Sequence, residues 1–220
     1  MNFLLSPAES FKKGASFRYL YGELISNIPV LKNLVFFASG SGSNFQSVID
    51  AATSHRLSAR ITGLIASRTG IGAIERAVQH GIPYEVIPET GSLNGENKMM
   101  ELLQIWNPDL IVLAGYLQKI PDSLILRYPR AIINIHPSLL PKFGGKGFYG
   151  LNVHQAVLDA GEKISGCSVH YVTEEYDAGD VIRQAEVPVE SDDTPESLAS
   201  RILKAEHKLL PQVIQELLKT

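Results

Sequence analysis

From Leu34 onward the chain alternates short apolar runs with segments of helical spacing. Leu34–Ala38 (LVFFA) is continuously apolar, as a strand buried on both faces of a parallel sheet requires. A break of small polar residues, Ser39 to Asn44, leads into a segment where Phe45, Val48, Ile49 and Ala52 share one helical face. The pattern continues as a strand over 59–67, a helix over 71–81 closed by Gly81, and a shorter strand over 83–88. A helix over 97–106 ends before Pro108, and a strongly apolar strand follows over 109–115. Next come a short helix over 121–128 and a strand over 131–136. After residue 163 the texture changes. Residues 164–173 and 180–189 are two β-like runs around an acidic turn, which predicts an antiparallel pair. Residues 194–218 form a long amphipathic stretch opened by Thr194-Pro195, a capping residue and then Pro at the first helical position. The expected class is α/β: an open, twisted, mostly parallel, Rossmann-like sheet with helices on both faces and antiparallel strands near the C-terminal end.

Residues 1–33 stand outside this pattern and read as an extension, with 34–220 as one domain. Phe17–Ile28 is weakly amphipathic, and the stretch lacks the apolar core and cleavage site of a signal peptide. No Met lies between Met1 and Met99, which raises a natural start at Leu31 read from a leucine-type non-AUG codon. Peptides from residues 1–30 in native cells would exclude that start. The 220 residues carry a net charge of −3, so no overall basic field draws nucleic acid. Cys167 is the only cysteine, which excludes an intrachain disulfide framework and a multi-cysteine metal site. No run of 18 apolar residues offers a membrane span. A cytoplasmic, metal-independent protein is expected.

Three features carry candidate chemistry. The first is the strand–Ser39-Gly40-Ser41-Gly42-Ser43-Asn44–helix turn. Unpaired backbone N–H groups and the positive end of the helix dipole suit a single phosphate there. Phe45 stands where a dinucleotide fingerprint needs its third Gly, and the Lys of a nucleotide P-loop is absent. A plain tight turn is the alternative. The second feature is Asn134-Ile135-His136 at the end of its strand, two polar residues that period-2 geometry sends to one face. They sit where open α/β sheets place their sites, before the rigid Pro137-Ser138-Leu139-Leu140-Pro141 turn. A satisfied core pair is the alternative. The third is the acidic loop Glu174-Glu175-Tyr176-Asp177-Ala178-Gly179-Asp180, either a solvated turn or the source of a carboxylate that orients His136.

Taken in order, Gly40-Ser41-Gly42-Ser43-Asn44, Leu113-Ala114-Gly115-Tyr116, Asn134 through Pro141, and Ser168-Val169-His170-Tyr171-Val172-Thr173 with Asp177-Ala178-Gly179 resemble the phosphoribosylglycinamide formyltransferases. The resemblance covers 34–218 and implies formyl transfer from 10-formyltetrahydrofolate to glycinamide ribonucleotide, with no metal. It implies catalytic roles for Asn134, His136 and Asp177: oxyanion donation by the first two and proton acceptance by the third. It also implies ribonucleotide binding by Gly42, Ser43, Asn44 and Glu206. For the folate it implies Leu113, Gly115, Tyr116, Leu117, Gln118, Lys119, Ile120, Asn134, Thr173 and Asp177, with His170 in support. Ignoring the resemblance, Glu206 is a solvated helix charge. His55, His80 and His154 carry no comparable argument. The segment Lys142–Gly150 is longer than the family's turn; it is either a plain loop or a mobile flap whose Lys142 or Lys146 meets a substrate anion. No Arg stands in 89–96 to meet a folate tail. The expected partners are these two small molecules, with no nucleic acid or membrane, in a monomer or homodimer. The alternatives are a formyltetrahydrofolate hydrolase or other formyl-folate transferase, and a non-catalytic phosphate-ligand binding module. The trio of Asn134, His136 and Asp177 argues against the last, since binding alone does not need it.

Overall fold

Among the described residues there are seven strands and six helices, and the burial pattern of each strand explains its place. In the computed structural model, which describes residues 31–219, the first strand β1 is Lys32–Ala38. It opens two residues before the apolar run, at Lys32 and Asn33. Asp109 fixes both, accepting from the Lys32 ammonium at 2.9 Å and from the Asn33 N–H at 2.8 Å. The amphipathic stretch 17–28 and the question of the start lie outside the described residues. Leu34, Phe36 and Ala38 pack into one apolar layer, while Val35 and Phe37 pack into the other. Alternate residues of a strand point to opposite faces, so a continuous apolar run is what burial on both sides demands.

The remaining elements follow in order: α1 (Ser43–Thr53), β2 (Ala59–Ala66), α2 (Gly72–Gln79), β3 (Tyr84–Val86), α3 (Leu93–Trp106), β4 (Leu110–Ala114), α4 (Asp122–Arg127), β5 (Ile132–His136), α5 (Leu151–Asp159), β6 (Ile164–Tyr171), β7 (Val181–Pro188) and α6 (Pro195–Leu217). The sheet order is β3-β2-β1-β4-β5-β6-β7. β1 to β5 run parallel, and β6 and β7 are antiparallel, as the sequence predicts. Residues of α1, α2, α5 and α6 cover one face, and those of α3 and α4 cover the other. Among the described residues, no helix is long and apolar enough to cross a membrane.

Two elements depart from the sequence reading. α3 starts at Leu93, four residues early, because Ser92 caps it by accepting from the Gly95 N–H at 3.1 Å. α5 was not expected at all. Its Val153, His154 and Val157 are buried. The long helix α6 begins as expected: Thr194 and Ser197 form a reciprocal capping box, with Pro195 at the first position.

Strand order reverses between β1 and β4, each continuing to a different side. A crevice must open beyond the C-terminal ends of these strands, because their connections leave in opposite directions. Ser39 ties that edge together. Its N–H donates to Gly115 O at 3.0 Å, and its hydroxyl accepts from Leu117 N at 3.0 Å and from the Ser67 hydroxyl at 2.8 Å. The loops after β1, β2 and β4 are thereby held as one rim.

Candidate active site

A cleft of about 430 Å³ opens along this edge. Its floor comes from β5 and its walls from the loops after β4, β5 and β6. Asn134 and His136 emerge from β5 on the same face as Ile132, as period-2 geometry requires. The antiparallel register sets Asn134 opposite His170 and His136 opposite Ser168. Cross-strand neighbours of this kind have side chains within bonding reach. Asn134 Nδ2 lies 3.1 Å from His170 Nε2.

Asp177 completes the group from the loop between β6 and β7. Its backbone is left-handed at φ 54, a conformation that Asp tolerates better than most residues. Its Oδ1 stands 3.4 Å from His170 Nε2 and 3.5 Å from Asn134 Nδ2. Its Oδ2 stands 3.5 Å from His136 Nδ1 and accepts from Gly145 N–H at 2.8 Å. Burial pushes this carboxyl up, but His170, His136 and the Gly145 N–H together hold it below the usual carboxylate value. Two side chains of β5 and one of β6 thus meet around the Asp177 carboxylate.

A carbonyl can only accept, so each imidazole carries a proton on the nitrogen that faces one. His136 Nε2 is 2.8 Å from Phe143 O, so the proton is on Nε2 and Nδ1 faces Asp177. His170 Nδ1 is 2.9 Å from Tyr171 O and carries a proton there, which leaves Nε2 between the Asn134 amide at 3.1 Å and Asp177 Oδ1 at 3.4 Å. Burial is the main cause that draws the His136 pKa below its ordinary value, against the pull of Asp177. Both nitrogens of His136 therefore face protein groups. The Pro137–Pro141 turn behind it is rigid: the Ser168 hydroxyl donates to Ser138 O at 2.6 Å and accepts from Leu140 N at 3.0 Å. Phe143 O and Gly145 N–H are the functional groups that sequence reasoning misses, because a backbone contact leaves no side-chain signature.

At the other end of the cleft Asn44 and Glu206 face each other across 162 positions. Asn44 Nδ2 donates to Glu206 Oε2 at 2.6 Å, while Asn44 Oδ1 is buried without a partner. Glu206 is only 6% exposed, so the solvated-charge reading fails. Burial pushes its carboxyl up to about 7, with the Asn44 amide pulling it partly back. The sign of the pH dependence follows. A carboxyl whose folded pKa exceeds its unfolded one binds more protons in the native state, so stability falls as pH rises from about 4.3 towards 7. Thermal melting at pH 5 and pH 8 is expected to show a decline in Tm that Glu206→Gln makes shallower. An equal decline in the variant would mean that Glu206 is already ionised in the fold.

The other predicted site residues divide. Leu113, Gly115 and Leu117 through Ile120 line the cleft with Thr173. Tyr116 reaches it too, but its ring turns inward onto Phe37 at 5.3 Å, and burial raises its hydroxyl to about 12. Gln118 is committed to the neighbouring loop, accepting from the Thr90 hydroxyl at 2.7 Å and donating to Pro88 O at 2.6 Å. Lys119 pairs with Asp122 at 3.2 Å. Gly42 and Ser43 do not line this cleft. Ser43 lines a separate groove of about 690 Å³ formed mainly by α1 and α6. Gly42 sits just before α1 with φ 72, where an added Cβ would lie 2.7 Å from Ala73 Cα, so only glycine fits.

The sequence model of the formyl transferase family matches residues 32–214. A chloroplastic phosphoribosylglycinamide formyltransferase of Arabidopsis thaliana is 40% identical over 193 residues, covering 86% of this chain and 66% of that protein. The Escherichia coli phosphoribosylglycinamide formyltransferase is 35% identical over 185 residues, covering 83% of this chain and 85% of that one. The crystal structure of glycinamide ribonucleotide transformylase 1 from Geobacillus kaustophilus superposes with a TM-score of 0.79 at 39% identity, covering 86% of this chain and 100% of that chain.

Proposed function

The chain belongs to the formyl transferase family, and on that premise we propose that it moves the formyl group of 10-formyltetrahydrofolate onto the primary amine of glycinamide ribonucleotide. The products are N-formylglycinamide ribonucleotide and tetrahydrofolate, in purine synthesis. The observation that carries the reading is the single cleft that joins the Asn134–His136–Asp177 cluster to the Asn44–Glu206 pair. The first end suits acyl transfer and the second a polar ribonucleotide.

The amine attacks the formyl carbon, leaving its nitrogen positive and the formyl oxygen negative. One Asn134 N–H is spent on His170, and the other, which faces Asp177 Oδ1 at a long 3.5 Å, can turn to the oxygen. Such a donor is worth about 2.7–4 kcal/mol at an oxyanion. Asp177, ionised at neutral pH, takes the proton from the charged nitrogen directly or through one water. His136 Nδ1 holds a lone pair beside Asp177 Oδ2 and can share that proton until the folate nitrogen receives it as the C–N bond breaks. Direct donation from His136 Nε2 to the oxyanion requires the formyl oxygen to replace Phe143 O as its acceptor. Holding two substrates in one cleft supplies the larger share, roughly 7–11 kcal/mol when the reacting atoms are well oriented. Leu113, Gly115, Leu117 and Ile120 form the apolar wall for the folate ring, with the 173–177 loop opposite.

The test is spectrophotometric, with 10-formyl-5,8-dideazafolate as formyl donor. The absorbance change is expected only when glycinamide ribonucleotide is also present. Change without the ribonucleotide would make the protein a hydrolase, and no change with both substrates would overturn the reading.

A further inference from the structure

The segment between β5 and α5 is rooted in the catalytic cluster and then runs over the cleft. Phe143 O holds His136, Gly145 N–H holds Asp177, and Lys146 is the very next residue. Lys146 and Phe148 through Gly150 line the cleft that also contains Asn44 and Glu206. Of the segment's two cations, Lys142 is committed to Glu162 at 2.7 Å. Lys119, the other lysine on the cleft, is held by Asp122. Among the described residues, Lys146 is thus the one lysine or arginine lining the cleft without a carboxylate partner. Gly145 and Gly147 on either side of it have φ of 93 and 97, so the backbone at this point is of a kind that other residues resist.

The ribonucleotide end of the cleft lacks such a charge. Asn44 is neutral, its neighbour Glu206 is a carboxyl, and Asn44 Oδ1 is a buried acceptor. A phosphate monoester is a dianion at neutral pH, and neutral donors beside a carboxyl leave it uncompensated. We propose that Lys146 supplies the missing cation, binding the ribonucleotide phosphate from the side opposite α1. The flexible four-carbon stem of lysine, carried between two glycines, reaches inward while Gly145 stays bonded to Asp177.

This inference rests on the formyl-transfer reading, and two measurements keep their failures apart. In steady-state kinetics Lys146→Gln is expected to raise the ribonucleotide KM about tenfold, the size of one charge-assisted contact, with kcat and the folate KM little changed. Lys146→Arg restores most of the loss, and Lys142→Gln leaves the KM alone. The second measurement is calorimetric binding of ribose 5-phosphate, which needs no turnover and is expected to weaken by a similar factor in Lys146→Gln. An unchanged ribonucleotide KM, or a rise in the folate KM instead, overturns the assignment. Lost ribose 5-phosphate binding in a protein that transfers no formyl group supports Lys146 while removing the reaction.

Discussion

Asp177→Asn is expected to lower kcat by about 10²–10⁴-fold, the range for losing a proton acceptor, while the ribonucleotide KM changes little. The substitution keeps shape and removes charge. The Asn carbonyl oxygen can still accept from Gly145 N–H, so the segment that carries Lys146 stays in place. What disappears is the base beside the attacking amine and the anion that faces two imidazoles at 3.5 and 3.4 Å. The pH profile separates the two effects. Both the Asp177 carboxyl and the His136 ring titrate below their ordinary values, so wild-type turnover persists on the acid side of the usual imidazole range and then falls as pH drops. The acid limb follows from His136 first, because a ring protonated at Nδ1 can take no further proton from Asp177. The Asn variant should show its residual rate without a carboxylate step. Turnover near that of the wild type in Asp177→Asn would remove this residue from the proton path.

The parts of this arrangement that sequence reveals are those with side-chain rhythm. The both-faces burial of β1, the change to antiparallel texture after residue 163 and the Thr194-Pro195 start of α6 are all patterns over neighbouring positions. The N-x-H spacing on β5 correctly places two polar groups on one face, because a strand's period is fixed by its backbone. What stays hidden depends on contacts between distant positions or on the backbone itself. Helix α5 follows a glycine-rich segment and has no side-chain cap to mark its start. Ser92 is a cap only because the chain turns there. Glu206 cannot be told from a solvated charge until Asn44 is brought against it from 162 positions away. Phe143 O and Gly145 N–H hold the two catalytic side chains with groups that every non-proline residue possesses.

Asn134→Ala is expected to cost about 10²–10³-fold in kcat, the measured scale for removing one oxyanion donor from an acyl-transfer site. Here the amide has two duties: one N–H goes to His170 Nε2 and the other faces Asp177 Oδ1 at 3.5 Å. The second is the weaker bond by its length, and so the N–H more easily turned to an incoming formyl oxygen. Developing charge on that oxygen strengthens the contact, whereas the neutral formyl group gains little from it. The loss should therefore appear in kcat and in kcat/KM together, with both KM values nearly unchanged, the pattern of an interaction made in the transition state. A structural role predicts something else. Asn134 is only half-buried, so its truncation should leave Tm close to that of the wild type. If His170, freed of its amide donor, swung away and took Asp177 with it, the pH profile would move along with kcat. His170→Gln, which keeps an acceptor for the Asn134 amide, tests that route: the Asn134→Ala loss should persist in full on this background. Were the double variant no slower than His170→Gln alone, Asn134 would be acting through His170 and not on the formyl oxygen.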